Sequence, residues 1–202
     1  TSVANINKIN NVANIVASES SNNKLIVVLS AMAGVTNQMQ NYINEIESEE
    51  IIENDLLLTS GENVTIAILS AILKKKKIKS IPLLGWQVPI ITNNSHQKAK
   101  ILNIDESRIM KFFEKNDVIV LAGFQGITND GHITSLGRGG SDTTAVAIAS
   151  AVSADRCDIY TDVEGVYSAD PNIVPKARKI SKLAFEEMLE MSSTGAKVLH
   201  TR

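Results

Sequence analysis

One cysteine, Cys157, stands among the 202 residues. No disulfide can close within the chain, and such sparing use of cysteine fits a reducing compartment. The stretch 156–160 reads as a strand, so this thiol is expected to be buried and inert. Excess charge of one sign is also missing: 20 Lys and Arg against 22 Asp and Glu leave a formal charge of −2 and a pI of about 5.9. That balance offers no polyanion-binding surface. The run Lys74-Lys75-Lys76-Lys77 reads as a solvated helix end, where the helix dipole favours cations. No uninterrupted apolar run reaches the ~18 residues of a membrane span, and no signal-peptide pattern opens the chain. The expectation is a cytoplasmic protein with neither nucleic acid nor membrane as partner. His96, His132 and His200 lie far apart, and no Cys/His cluster has metal-ligand spacing, so no metal held by the protein alone is expected. There is no G-x-x-x-x-G-K-[ST], and Gly137, Gly139 and Gly140 fail G-x-G-x-x-G because position 142 is Asp. Internal repeats, low-complexity segments and a clear linker are absent, and the length suits one large domain.

What is present is an alternation of two patterns. Continuous apolar runs at 25–29, 80–84 and 117–121 carry the mark of buried parallel strands. Ile90 and Ile91 suggest a further short strand. Helical spacing marks the residues from Ile6 to Val16, then 37–47, 49–59, 63–75, 142–153 and 183–191, with a break at Ser60-Gly61-Glu62. Residues 195–200 read as helical as well. Asp105 is placed to cap a helix running to about Glu114, and Asn129-Asp130-Gly131 marks a hairpin turn within 123–136. Strands alternating with helices argue for an α/β domain with a mainly parallel central sheet. Ligands of such sheets bind beyond the carboxyl ends of the strands. Segments 30–36, 85–87, 123–126 and 161–167 each follow an expected strand, so they are expected to converge on one edge.

The densest signal is Leu136-Gly137-Arg138-Gly139-Gly140-Ser141-Asp142-Thr143-Thr144-Ala145. Three glycines around an arginine open an alanine-rich helix, with Ser141 and Asp142 as candidate N-caps. A flexible loop, a cation and the positive end of a helix dipole together suit a phosphate or carboxylate. A second dense segment follows: Tyr160-Thr161-Asp162-Val163-Glu164-Gly165-Val166-Tyr167-Ser168-Ala169-Asp170-Pro171.

Read together, these two segments resemble the amino acid kinase family, and within it the branch that phosphorylates aspartate. The resemblance covers nearly the whole chain. It implies a three-layer αβα sandwich with a mainly parallel central sheet, of the carbamate kinase-like kind. It also implies transfer of the γ-phosphoryl group of ATP, with Mg²⁺, to the β-carboxylate of L-aspartate, the first step of lysine, threonine and methionine biosynthesis. A carboxylate nucleophile, with a pKa near 4, needs no general base, and none is apparent here. Positioning and charge neutralisation would carry the reaction.

By the same resemblance, Arg138 would pair with the substrate carboxylate and Glu62 would hold the substrate amino group. Ser30, Thr36, Phe124 and Ser141 would line the same pocket. Asp142 would orient lysine and metal at the phosphates. Gly139, Gly140, Thr161, Asp162, Tyr167 and Lys197 would form the nucleotide set, with Asp170 and Pro171 shaping their turn. The resemblance places Thr1 just after a Lys-Phe-Gly-Gly strand and loop. The expectation is therefore a catalytic domain over 1–202, cut at both ends, without ACT domains, weakly active or inactive as it stands, and homodimeric in full-length form. Asn172 stands where Asp-Pro-Arg is usual, and Thr201 where His-Pro is usual. Two other readings stay open: a family member acting on glutamate, acetylglutamate, carbamate or UMP, and a non-catalytic module that binds nucleotide or aspartate.

Overall fold

The computed structural model describes residues 2–161, 165–169, 173–174 and 176–193. The elements run α1 (Ile6–Glu19), β1 (Leu25–Leu29), α2 (Val35–Glu45), α3 (Ile51–Leu58), α4 (Ser60–Lys75), β2 (Ser80–Leu83) and β3 (Ile90–Thr92). They continue β4 (Ile101–Ile104), α5 (Glu106–Phe112), β5 (Val118–Ala122), β6 (Gln125–Ile127), β7 (Ile133–Ser135), α6 (Gly140–Ala151) and α7 (Phe185–Ser193). Two compact units divide at residues 159 and 160.

β5 is the spine of the first unit. Its Val-Ile-Val-Leu-Ala sequence is buried at every position, as a strand covered on both faces must be. It pairs in parallel with β1 on one side, Leu25 opposite Val118 through Leu29 opposite Ala122. On the other side it pairs in parallel with β2, Ser80 opposite Val118 through Leu83 opposite Leu121. Side chains alternate between faces along a strand, and β5 feeds two cores accordingly. Val118, Val120 and Ala122 pack with Ile9, Ala13 and Val16 of α1 and Ile66, Leu69 and Leu73 of α4. Ile119 and Leu121 pack with Ile109 of α5, Ile148 of α6 and Ile90 of β3. Helices thus cover both faces of a parallel sheet, the three-layer arrangement expected from the sequence.

A second sheet was not anticipated in full. Its order is β4-β3-β6-β7, with β3–β4 and β6–β7 antiparallel and β3–β6 parallel. The hairpin at 129–131 forms as read, since the Thr128 carbonyl accepts from Gly131 N at 3.0 Å between β6 and β7. β4 escaped notice because Ile-Leu-Asn-Ile exposes Leu102 and Asn103 and so lacks a strand's alternation.

Local chemistry explains several element ends. Asn5 caps α1 by accepting from Lys8 N at 3.0 Å. Asp105 caps α5 by accepting from Arg108 N at 3.2 Å, as the sequence predicts. Four readings need correction. Residues 60–62 do not break the chain: Thr59 separates α3 from α4, and Ser60, Gly61 and Glu62 form the first turn of α4. Thr36 sits in the first turn of α2, which opens after Gly34 at φ 82°. No strand forms at 156–160, and Cys157 is exposed. Most of that segment is exposed, so its thiol is not part of a core. The cap of α6 is Gly139, at φ 72°, so Ser141 and Asp142 are not caps. Ile51–Lys75, counted through α3 and α4, has the length and composition of a membrane span, yet half of its apolar window is buried inside the fold.

In the second unit, Tyr167 and Lys179 form an isolated antiparallel bridge. Ser168 N donates to Arg178 O at 2.9 Å and Ile180 N to Val166 O at 2.8 Å. α7 opens with Ala184 N donating to Glu187 Oε2 at 2.8 Å, the reciprocal half of a capping box.

Leu121 is 1% exposed and packs in the core on the α5 and α6 side of β5. Leu121→Ala is expected to cost about 2–5 kcal/mol. The exposed Leu102→Ala is expected to stay within about 0.5 kcal/mol. Urea unfolding followed by circular dichroism checks both.

Candidate active site

The carboxyl ends of β1, β5 and β2 lie side by side because the three strands are parallel and in register. Segments 30–34, 84–87 and 123–125 leave from that edge. Gly123 N donates to Leu29 O at 2.9 Å, which holds the exits of β1 and β5 together. Gln125 ties in the third: its Oε1 accepts from Gly85 N at 3.1 Å. Its Nε2 donates to Thr59 O and to Asn63 Oδ1, each at 3.1 Å. Sequence reading did not single out this buried amide; one glutamine inside an otherwise apolar Leu-Ala-Gly-Phe-Gln-Gly-Ile run was the available signal.

Glu62, in the first turn of α4, is only 3% exposed. Its Oε1 accepts from Ala31 N at 3.0 Å, one residue beyond Ser30 in the loop leaving β1. Its Oε2 is buried and has no hydrogen-bond partner among the described residues. Burial pushes the carboxyl pKa up to about 7, against smaller lowering effects from the backbone N–H groups of Glu62 and Ala31. An oxygen left without a partner in a dry site costs free energy until a donor arrives. A ligand ammonium is a fitting donor. The approach is close-packed: a Cβ on Gly61 would stand 2.7 Å from the Ala31 Cβ.

Across the edge lies the start of α6. A Cβ on Gly123 would stand 2.8 Å from Ser141 Oγ, so only glycine lets the exit of β5 meet the helix. Phe124 follows at φ 67°, a strained conformation for a bulky residue. The strain is held in place by Phe124 N donating to Thr144 Oγ1 at 3.2 Å and by Leu136 N donating to Phe124 O at 2.9 Å. Gly137 and Gly139 take φ values of 77° and 72° on either side of Arg138. Arg138 is exposed. Gly140 N donates to Gly137 O at 3.0 Å, and because Gly139 has no side chain, none caps α6 from that position, which leaves the rest of its first turn suited to an anion. Asp142, half-buried, has its carboxyl pKa raised by burial.

The structure therefore brings together Ser30, Glu62, Phe124, Ser141, Asp142, Gly139 and Gly140 around one strand edge, with Arg138 on the glycine loop. Thr36 is half-buried in the first turn of α2, just after the loop that leaves β1. Thr161 and Tyr167 belong to the second unit, exposed and half-buried respectively. A Cβ on Gly165 in that unit would stand 2.8 Å from Lys179 Cε. Asp162, Asp170, Pro171, Asn172, Gly195, Lys197 and Thr201 lie outside the described residues.

A parallel three-layer core, with a buried carboxyl group and an uncapped helix N-terminus at the carboxyl edge of its strands, defines an α/β domain suited to small charged ligands. Among such domains, this chain belongs to the amino acid kinase family, whose profile matches residues 1–202. It is 50% identical over 207 residues to the aspartokinase of Rickettsia felis, which covers 100% of this chain and 52% of that protein. The structure of aspartate kinase from Synechocystis superposes with a TM-score of 0.83 at 41% identity, over 100% of this chain and 34% of the other. E. coli aspartokinase III in complex with aspartate and ADP gives a TM-score of 0.83 at 29% identity, over 100% of this chain and 56% of that one. The chain spans about half the length of the curated relatives it matches.

The raised pKa of Glu62 fixes a pH dependence. Between the ordinary value of 4.5 and about 7 the folded state binds the extra proton, so stability falls as pH rises across that window. The ligand-free protein is expected to lose on the order of 3 kcal/mol over it through this group. Glu62→Gln should flatten that slope. Urea unfolding at a series of pH values measures it; equal slopes in both proteins would rule out the assignment.

Proposed function

We propose that the chain is the amino acid kinase portion, over 1–202, of a cytoplasmic aspartate kinase. It would transfer the γ-phosphoryl group of ATP to the β-carboxylate of L-aspartate, as the opening step toward lysine, threonine and methionine. The observation that carries this reading is the unpartnered Glu62 Oε2, buried at the strand edge that also bears the glycine-flanked Arg138. The two groups suit the two ends of an α-amino acid. Glu62 would receive the ammonium, and the planar fork of Arg138 would receive a carboxylate. The names of the similar proteins, among them one bound to aspartate and ADP, support the same substrate pair.

The nucleophile is a carboxylate, ionised at neutral pH, so no residue has to remove a proton from it. The work left to the protein is to align it with the phosphoryl group and to offset negative charge. The start of α6, which no side chain caps, and the glycines at 137, 139 and 140 suit an anion. Thr161 and Tyr167 of the second unit, with Asp162 and Lys197, would form the nucleotide set. Among the described residues no group of three or more His, Cys, Asp or Glu could hold a metal. Mg²⁺ would arrive on the ATP phosphates, where it offsets charge on the transferring group. Asp142 fits such a partner: its carboxyl is half-buried, its pKa is raised by burial, and it is not occupied as a helix cap. A homodimer is the expected assembly of the whole protein.

The test is an acyl-phosphate assay on the protein expressed from its full reading frame, with product trapped as hydroxamate. L-aspartate would be run against L-glutamate and N-acetyl-L-glutamate. Aspartate-specific, ATP-dependent product is expected. Arg138→Ala should lower kcat/KM for aspartate about a hundredfold or more, with Arg138→Lys restoring only part of it, because a point charge does not replace a fork. Product from a different amino acid would reassign the substrate. Aspartate binding without any product would leave a binding module.

A further inference from the structure

Asp55 lies in α3, where it is 0% exposed. Three groups converge on its carboxyl. Ser135 Oγ donates to Oδ1 at 2.6 Å. Gln97 N donates to both oxygens, at 3.1 Å each. His96 Nδ1 stands 2.7 Å from Oδ2, with its side chain 7% exposed. Both carboxyl oxygens accept elsewhere, so the tautomer with a proton on Nδ1 completes the set.

These partners come from separate parts of the fold. His96 and Gln97 sit in the turn between β3 and β4, and Ser135 is the last residue of β7. The turn is itself stiff: Asn93 Oδ1 accepts from Lys100 N at 2.9 Å and Asn93 N donates to Lys100 O at 3.1 Å. Ala99 N donates to Ser135 O at 3.0 Å, so the turn and β7 are joined a second time. Chain direction gives this junction its meaning. α3 runs through Thr59 directly into α4, whose first turn carries Glu62. β7 runs through Leu136 directly into the loop that carries Arg138.

We propose that Asp55, His96 and Ser135 form a positioning clamp that sets Arg138 against Glu62, and so fixes the span of the amino-acid pocket. Asp55 holds the element leading into Glu62, and Ser135 the strand leading into Arg138. Two glycines of positive φ leave the arginine loop little stiffness of its own, so its placement is inherited from its root at Ser135. An apolar plug would fill the same space with less desolvation, whereas a satisfied polar network admits one register and one angle. The clamp rests on the aspartate kinase reading for its consequence, though not for its geometry.

The experiment uses the protein from its full reading frame and has two arms. In the first, amide exchange by mass spectrometry follows residues 136–140 without ligand. Ser135→Ala and Asp55→Asn should speed exchange there about tenfold, by loss of a buried charge-assisted hydrogen bond. Ser135→Thr, which keeps the hydroxyl, should not. Thr134→Val is the control: it removes the buried Thr92 Oγ1···Thr134 Oγ1 bond of 2.7 Å from the same strand, and 136–140 should stay protected. In the second arm, Ser135→Ala should raise KM for L-aspartate about tenfold while KM for ATP and kcat move less than about threefold. Ser135→Ala removes a single bond, so it decides the matter even where Asp55→Asn fails to fold. A folded Ser135→Ala protein with unchanged exchange at 136–140, or an equal response from Thr134→Val, overturns the clamp. An unsubstituted protein that makes no aspartyl phosphate defeats the functional reading, while the exchange arm still decides the clamp.

Discussion

Parallel hydrogen bonding of β5 to β1 on one side and β2 on the other sends three strands out of the core in the same direction. Every residue at the candidate site inherits its place from that pairing. The loop with Ser30 and Ala31 leaves β1, the loop with Gly85 leaves β2, and Gly123 and Phe124 leave β5. Antiparallel pairing would have scattered these segments to opposite ends. The pairing is secured by apolar burial on both faces rather than by the site: Val118, Val120 and Ala122 point one way, Ile119 and Leu121 the other. A core of that kind is stable enough to carry polar groups at its edge that do not help it fold.

Several edge groups oppose folding. Glu62 is buried with one oxygen lacking a hydrogen-bond partner among the described residues, Phe124 takes a backbone conformation that bulky residues avoid, and Asp142 is partly desolvated. A ligand would relieve the two carboxyl groups: an ammonium for Glu62 and a cation for Asp142. Strain and desolvated charge gathered at one strand edge are characteristic of a binding site. The satisfied amide of Gln125 and carboxyl of Asp55 serve the opposite purpose, since their hydrogen bonds hold the pieces of the edge in register.

Much of this was legible in the chain. β1 was read at its observed bounds, because five apolar residues between polar turns leave little choice. Asp105 and Asn129-Asp130-Gly131 carried their own local mechanisms, a cap and a turn, and both formed. Readings failed where a local signal competed with tertiary context. Ser141 and Asp142 look like caps, but the left-handed glycine at 139 starts α6 earlier. Ser60-Gly61-Glu62 looks like a break, but packing of Gly61 on Ala31 keeps it helical. Residues 156–160 look like a strand, yet no strand forms there, and Cys157 is left exposed. Asp55, His96 and Ser135 are separated by 41 and 39 positions; nothing in a linear pattern connects a helix carboxyl, a turn imidazole and a strand hydroxyl.

The sequence by itself determined the class of the fold and the chemical character of the site. Apolar periodicity is a local property, and a glycine-flanked arginine before a helix announces an anion wherever the chain goes. Tertiary structure alone decided that Glu62 is buried with one oxygen that has no partner among the described residues. Desolvation depends on what the rest of the chain lays over a residue, not on its neighbours in sequence. It also decided that Asp55 reaches Ser135, for the same reason: a hydrogen bond between distant residues exists only once a helix and a strand have been folded to within hydrogen-bond reach of each other, here 2.6 Å.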